Sequence, residues 1–349
     1  MNMSEEPNIQ FNWPILGHRN VVNFLQKSLT TKQLSQAYIF YGPSHIGKTT
    51  VAKYFIKSIL CEHSGAFDKA VPCEDCSCCR QIEAGTHPDF FEVDIERDKK
   101  TEKLNKNISI EQIKGMQSRL NHCSFLNSYK IALIHGAEFL SEKAHNALLK
   151  TLEEPSAKSI IIMLTDEFES LPKTVVSRCQ SVQFLRVGSN EIKKFLLERG
   201  VEQKEADELT RLAGGQVGAA INFLEEPERL ENYKKAAEEF IEIFQKGINE
   251  RFLFAEQILD NRKKSFYQRD NLAELLNIWN GIIRDILLHK SEGEHLIKNK
   301  QFSFNIKEMA ERYSVDYLAG VLENIKQAKN FLADNVNPKL ILENLILNI

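Results

Sequence analysis

The spacing of apolar residues changes along the chain, and its first half has the pattern of a parallel α/β sheet. Apolar runs with the length of strands occur five times, at 38–41, 89–95, 130–134, 159–164 and 181–184. Segments with apolar residues at three- and four-residue steps lie between or before them, at 21–29, 50–60, 110–122 and 141–154. Strands that alternate with helices predict a parallel sheet covered by helices.

The second half has a helical pattern throughout. Amphipathic segments follow one another at 189–199, 204–213 and 217–224, and apolar residues then recur at helical spacing from 232 to 349. The predicted division is an α/β domain at 1–186 with an insertion at 61–79, a small helical domain at 187–226, and an all-α domain at 227–349.

A glycine-rich turn after the first strand carries the strongest chemical signal. Gly42, Gly47, Lys48 and Thr49 fit G-x-x-x-x-G-K-[ST] between a predicted strand and a predicted helix. Such a loop surrounds an anion with backbone N–H groups, and the positive end of the following helix points at it. Lys48 would reach the outer phosphates, Thr49 would contact magnesium, and Thr50 is assigned to the same site. The sequence thus predicts binding of ATP or ADP with Mg²⁺.

The carboxylates that P-loop ATPases use for hydrolysis are missing after the strand at 130–134. Such an enzyme needs an Asp that holds magnesium and a Glu that orients the attacking water. His135 and Gly136 occupy these positions, and an imidazole is a poor ligand for Mg²⁺. Glu138 is expected to face away from the phosphates. Because general-base catalysis alone contributes roughly 10² to 10⁴ in rate, we expect weak or static nucleotide binding without turnover.

Thr165 and Arg178 are further candidates with two interpretations each. Thr165 follows the strand at 159–164, where a polar residue often contacts a terminal phosphate, but a threonine is also common there without a function. Arg178 lies on a loop from which a guanidinium can reach a neighbouring protein. An arginine supplied to a partner's phosphate contributes about 10³ to 10⁵ in rate; the alternative is a local surface ion pair.

The insertion contains closely spaced cysteines that predict a metal site. Cys73, Cys76 and Cys79 have C-x-x-C-x-x-C spacing, and Cys61 ends the helix before them. Four thiolates from a helix end and a tight knuckle suit tetrahedral zinc, and the metal would fold a loop too small for its own core. Cys78 is left as the spare cysteine. A redox C-x-x-C pair or unconnected thiols are the alternatives.

The composition is that of a globular protein and argues against some classes of partner. The chain has 349 residues, 42% hydrophobic and 27% charged, with a net charge of −3, so nothing global indicates a nucleic-acid coat. No apolar run reaches the roughly 18 residues that span a bilayer, and the acidic first ten residues do not resemble a signal peptide. We expect a cytoplasmic protein with cysteines as metal ligands or buried thiols.

Four lysines are expected in a solvated loop rather than at DNA: Lys99, Lys100, Lys103 and Lys106.

Several strings of residues together resemble the bacterial sliding-clamp loaders of the AAA+ class. They are the phosphate loop, the cysteine knuckle, H-P-D at 87–89, N-A-L-L-K-T-L-E-E-P at 146–155 and S-R-C at 177–179. The resemblance is dense from residue 15 to about 224 and weak in the C-terminal helices. It implies an α/β P-loop (AAA+) parallel-sheet domain, a small helical lid domain and an all-α C-terminal collar domain.

Within this family, the resemblance implies the rigid stator of the DNA polymerase III clamp loader. The ATP-hydrolysing motor subunit would carry Asp-Glu after the central strand and an arginine in the lid, whereas this chain has His135, Gly136 and Gly218. Because the phosphate loop is intact, an AAA+ motor subunit is the alternative. A P-loop kinase or other small-molecule enzyme is a third hypothesis, against which the zinc insertion and the long helical half argue.

The resemblance also implies partners and a role for Arg178. The collar would pack into a ring of five subunits with the motor and delta subunits, and the complex would load a sliding clamp onto primed DNA. Arg178 matches the arginine finger that completes the ATP site of the adjacent motor subunit.

Overall fold

The computed structural model describes residues 13–62, 71–97, 105, 107–122, 129–260, 269–333 and 336–349. The chain separates into two compact units. The first combines the described residues of Met1–Gly200 with Gly215–Ala219, and the second combines Val201–Gly214 with those of Ala220–Ile349. The three-part division at residues 186 and 226 stays a prediction. The lysines at 99, 100, 103 and 106 lie outside the described residues.

The first unit is built on the parallel sheet that the apolar pattern predicted. Its strands are β1 (Ala37–Tyr41), β2 (Phe90–Val93), β3 (Lys130–Ile134), β4 (Ser159–Thr165) and β5 (Gln180–Gln183). They are ordered β2-β3-β4-β1-β5, and every neighbouring pair is parallel. The carboxyl ends of β1, β4 and β3 therefore lie side by side, with Tyr41 next to Thr165.

The helices of the first unit begin at recognisable sequence signals. They are α1 (Arg19–Thr30), α2 (Lys48–Leu60), α3 (Ser77–Glu83), α4 (Ile110–Asn121), α5 (Glu142–Glu153), α6 (Lys173–Val176) and α7 (Ser189–Glu198). The Ser109 hydroxyl accepts the Gln112 N–H at 3.3 Å and the Gln112 amide oxygen accepts the Ser109 N–H at 2.9 Å. This capping box confirms the predicted start of α4.

Helices cover both faces of the sheet because strand side chains alternate in direction. Tyr38 and Phe40 of β1 join one core with α1 and α2. Ile39 joins the opposite core with α4 and α5. Burial on both faces explains why the central strands read as continuous apolar runs.

The described elements of the second unit are helical, as predicted. From residue 203 onward the helices are α8 (Gln203–Ala213), α9 (Val217–Glu225), α10 (Pro227–Ile243), α11 (Ile248–Asp260), α12 (Arg269–Lys290), α13 (Ser303–Arg312), α14 (Val315–Ala333) and α15 (Pro338–Leu347). The first three residues of α9 belong to the first unit. Trp279 is fully buried in the core that α10 to α15 form and stacks on Phe240 with 4.7 Å between ring centroids. Among the described residues, no helix is long and apolar enough to cross a membrane.

Candidate functional site

The phosphate loop joins β1 to α2 in a conformation that needs both of its glycines. Gly42 has φ +146, and a Cβ there would lie 2.3 Å from the carbonyl oxygen of Phe184. Gly47 has φ +104 at the N-cap of α2, a conformation that other residues rarely adopt. The loop therefore delivers Lys48 and Thr49 to the first turn of α2, as the motif predicts.

The loop borders a cavity of about 410 Å³ at the carboxyl ends of β3 and β4. Open α/β sheets bind ligands at this edge. The cavity brings together most of the residues assigned to the nucleotide: Gly47, Lys48, Thr49, Thr50 and Thr165. Gly42 shapes the loop without lining the cavity. These residues fit a bound nucleotide, because backbone amides, an ammonium group and a hydroxyl converge on one space.

Lys48 is held by three oxygen acceptors. Its Nζ donates to the carbonyl oxygens of Gly42 and Pro43, both at 2.7 Å, and to Oδ1 of Asp166 at 2.6 Å. The Lys48 side chain is 8% exposed, and that of Asp166 is 44% exposed. An ammonium group has three N–H donors, so each of them has an acceptor.

The two positions where a hydrolysing enzyme needs carboxylates have other contacts. Nε2 of His135 lies 3.5 Å from the Glu92 carboxylate on β2. Gly136 has φ +60, and a Cβ there would lie 2.6 Å from the Phe139 ring. The tight turn after β3 thus favours a glycine where a catalytic glutamate would be required.

Glu138 corrects one expectation, because it lines the cavity instead of facing away. A short 3₁₀ helix, Ala137–Phe139, follows Gly136 and turns the side chain back towards β4. Its Oε1 accepts the backbone N–H of Asp166 at 3.2 Å, and its buried Oε2 has no hydrogen-bond partner among the described atoms. Burial raises the pKa of Glu138 above its ordinary value, and the Asp166 carboxylate adds to the shift.

Asp166 is a residue of this site that the sequence analysis missed. It follows Thr165 directly at the end of β4 and lies in the cavity lining. The available signal was its position: an acidic residue immediately after a central parallel strand is placed at the edge where ligands bind. Its pairing with Lys48, 118 positions away along the chain, could be predicted only with knowledge of the strand order.

Gly218 lies against the phosphate loop and leaves no room for a side chain. Its N–H donates to the His45 carbonyl oxygen at 2.8 Å, and a Cβ would lie 2.9 Å from that same oxygen. The Gln216 amide also donates to the Ser44 carbonyl oxygen at 3.1 Å. The close contact with the backbone of the phosphate loop therefore requires a glycine at position 218.

The four predicted cysteine ligands converge as the spacing predicted. The sulfur atoms of Cys61, Cys73, Cys76 and Cys79 all lie within 4.8 Å of one another. Cys61 Sγ lies 3.5 Å from Cys73 Sγ and 3.8 Å from Cys76 Sγ. Tetrahedral coordination with bonds of about 2.3 Å gives sulfur separations of about 3.8 Å, so this cluster can hold a metal ion.

Backbone N–H groups also point at the sulfur atoms of the cluster. The amides of Cys73, Cys76 and Cys79 donate to the sulfurs of Cys61, Cys73 and Cys76 at 3.5, 3.3 and 3.4 Å. Such donors stabilise thiolates. Burial raises the pKa of Cys79 without a cation, and a bound cation would remove that proton.

Cys78 has a different environment from the four clustered cysteines. Its thiol contacts the Glu62 carboxylate at 3.3 Å and Nε2 of the buried His87, also at 3.3 Å. Burial and the Glu62 carboxylate raise the pKa of Cys78 to about 12, so this thiol keeps its proton at neutral pH. The assignment of Cys78 as the spare cysteine agrees with this contact.

Arg178 lies just after the short helix α6 and is partly exposed. Its Nη2 lies 2.7 Å from Oε1 of Glu153, and the two side chains are 37% and 50% exposed. Its Nη1 donates to the Thr174 carbonyl oxygen at 2.9 Å. Both contacts are made within the chain and are open to solvent. The predicted role in a partner's site stays a prediction.

The fold and the loop define a class of protein, and comparisons with known proteins define the family. A phosphate loop after the first strand of a five-stranded parallel sheet, followed by an all-helical part, is the architecture of an AAA+ P-loop protein. The family model described as "DNA polymerase III, delta subunit" matches residues 17–188. The model described as "DNA polymerase III, delta subunit, C terminal" matches residues 264–349. The chain belongs to this DNA polymerase III delta-subunit family.

Individual relatives differ in how much of their length the chain spans. The DNA polymerase III subunit delta' of Bacillus subtilis is 27% identical over 94% of both chains. Subunit tau of the same organism is 35% identical over 51% of this chain, which spans 30% of tau. A solved gamma subunit-related protein from Thermotoga maritima is 18% identical and covers 93% of this chain and 97% of its own, with a TM-score of 0.45.

Proposed function

We propose that this chain is a non-hydrolysing, delta'-type stator of a DNA polymerase III clamp loader. The observation that carries the proposal is a phosphate loop kept intact beside a β3 end that has lost its catalytic carboxylates, in a chain aligned along 94% of its length with a delta' subunit. His135 and Gly136 supply neither a magnesium ligand nor a general base. In this proposal the chain helps a ring of five subunits load a sliding clamp onto primed DNA.

The role proposed for Arg178 is to complete the ATP site of the adjacent motor subunit. Two features support it: the guanidinium is partly exposed, and its partner Glu153 is half exposed. Solvent-exposed ion pairs contribute only about 0–1 kcal/mol, so Arg178 can exchange Glu153 for a phosphate at small cost. A planar guanidinium can then hydrogen-bond two phosphate oxygens at once.

The proposed cofactors are a nucleotide with Mg²⁺ at the phosphate loop and one zinc ion at the cysteine cluster. Thr49, in the first turn of α2, would contact the magnesium ion. The donor set of four sulfurs favours zinc over the hard cations magnesium and calcium. Zinc would supply folding energy to the insertion and take no part in chemistry.

The proposed division into three parts is a P-loop domain at 1–186, a lid at 187–226 and a collar at 227–349. In this proposal the collar is the part that joins the ring with the motor and delta subunits. The large hydrophobic core of the second unit supports a separately folded helical part.

The test of the proposal is the ATPase rate of a reconstituted complex with clamp and primed DNA. Arg178→Ala should leave assembly intact and lower DNA-stimulated hydrolysis by about 10³-fold or more at the site it serves. Arg178→Lys should rescue little, since lysine lacks the planar fork. Arg80→Ala is the matched control, because it also removes an exposed arginine from an ion pair. An unchanged rate with Arg178→Ala would remove the finger role.

A second candidate function is an ATP-hydrolysing motor, and the position of Glu138 favours it. A carboxylate that lines the cavity with a raised pKa is a candidate base. Purified alone, the chain should still show no turnover, because Glu138 already accepts the Asp166 N–H and no acid occupies position 135. Turnover on the order of 1 s⁻¹ or faster, which is typical of enzymes, would establish the second candidate instead if Glu138→Gln abolished it.

A further inference from the structure

The ion pair between Lys48 and Asp166 is built by elements that the fold fixes. Lys48 begins α2, while Asp166 follows β4, which pairs with β1 along its length. The Gly42 N–H donates to the Thr165 carbonyl oxygen at 3.3 Å, which ties the loop to the residue before Asp166. Glu138 accepts the N–H of Asp166 itself. The carboxylate is therefore attached to a backbone held on two sides.

A nucleotide phosphate needs the same ammonium group that Asp166 holds. All three N–H donors of Lys48 have acceptors, so a phosphate oxygen must displace one of them. The carbonyl oxygens of Gly42 and Pro43 belong to the loop backbone, whereas Asp166 is a side chain with 44% exposure. Its negative charge would also repel the phosphate at close range.

We propose that the Asp166 carboxylate competes with the outer phosphates of a nucleoside di- or triphosphate for Lys48, and so sets the affinity of the site. Nucleotide binds by displacing Asp166 into solvent, and the ion pair re-forms when it leaves. The proposal rests on nucleotide binding at the phosphate loop and is independent of the role of Arg178. It assigns control of the nucleotide affinity to a residue outside the loop motif.

The experiment compares the binding of fluorescent ADP and ATP analogues to the full chain and its variants, with and without Mg²⁺. Asp166→Asn, which is similar in shape and uncharged, should bind both analogues about threefold to tenfold more tightly than the unchanged chain, since tenfold corresponds to about 1.4 kcal/mol. Asp166→Ala should bind at least as tightly. Glu167→Gln, which removes the same charge one residue away from the pair, should not change the affinity.

A double variant shows whether the effect passes through Lys48. In a Lys48→Ala background, Asp166→Asn should lose its effect, because the competing contact no longer exists. Thermal unfolding of each variant confirms that it is folded.

Weaker or unchanged nucleotide binding by Asp166→Asn would overturn the proposal. If the binding were weaker only in the presence of Mg²⁺, Asp166 would instead be identified as a metal-binding residue. Failure of every variant to bind would also overturn it. None of these results would affect the stator role, which Arg178→Ala tests in the assembled complex.

Discussion

At the scale of single residues, the candidate nucleotide site is defined by which carboxylates are present. His135 and Gly136 replace those expected after β3, while Glu138 and Asp166 reach the cavity from neighbouring positions. Neither occupies the place of a missing group: Asp166 pairs with Lys48, and Glu138 holds the Asp166 N–H. The Asp166 carboxylate thus contacts the loop, and the Glu138 carboxylate contacts the backbone of Asp166.

Glu138 should make stability depend on pH in a definite direction. Burial raises its pKa above the ordinary 4.5 in the folded chain, so the folded state binds more protons than the unfolded state above pH 4.5. Linkage then requires the contribution of Glu138 to the free energy of unfolding to be complete below pH 4.5. This contribution is lost as the pH rises through the pKa that Glu138 has in the folded chain. Glu138→Gln does not titrate, so relative to the unchanged chain its free energy of unfolding should rise between pH 4.5 and pH 7.

Urea denaturation of both proteins across this pH interval checks the prediction. The exposed Glu167 is the control position, because Glu167→Gln should follow the unchanged chain. If the free energies of unfolding of Glu138→Gln and the unchanged chain had parallel pH profiles, the pKa of Glu138 would not be raised in the folded chain.

At the scale of elements, the positions of the strands and helices could be predicted from the sequence, whereas most contacts between them could not. The apolar runs and the Ser109 cap located β3, β4 and α4 because burial and capping are local properties. Glu138 was misplaced because the 3₁₀ turn at Ala137–Phe139 leaves no clear periodic signal. The Lys48–Asp166 pair depends on β1 lying beside β4, which no local pattern specifies.

The cysteine insertion was predictable because its ligands are close in sequence, and it gives a paired test. Metal analysis of the unchanged protein should find about one zinc per chain. Cys76→Ser should lower that content and expose the insertion to proteolysis, since the metal supplies its folding energy. Cys78→Ser is the matched control, because the thiol of Cys78 hydrogen-bonds Glu62 and His87 and is not among the four converging sulfurs. Equal zinc contents in the two variants would contradict the assignment of the four ligands.

At the scale of the whole molecule, the chain has two units with separate hydrophobic cores. If the helical part joins the ring, assembly and nucleotide binding should respond to different substitutions. Lys48→Ala should leave co-purification with motor and delta subunits unchanged. Trp279→Ala removes a fully buried ring stacked on Phe240, and such a loss costs about 3–5 kcal/mol, so co-purification should fall sharply.

Hydrogen exchange shows whether the first unit of the Trp279→Ala chain stays folded. Normal co-purification of a chain whose second unit has lost protection would contradict a collar role for these helices.

The contact between Gly218 and the His45 carbonyl oxygen limits which residues position 218 can accept. A larger residue at position 218 would force the backbone on one side to move, because the obstacle is a main-chain oxygen 2.9 Å away. An arginine there would need a compensating shift of the loop as well as the substitution itself. No single substitution at position 218 can therefore add a side chain there while the phosphate loop keeps its present backbone.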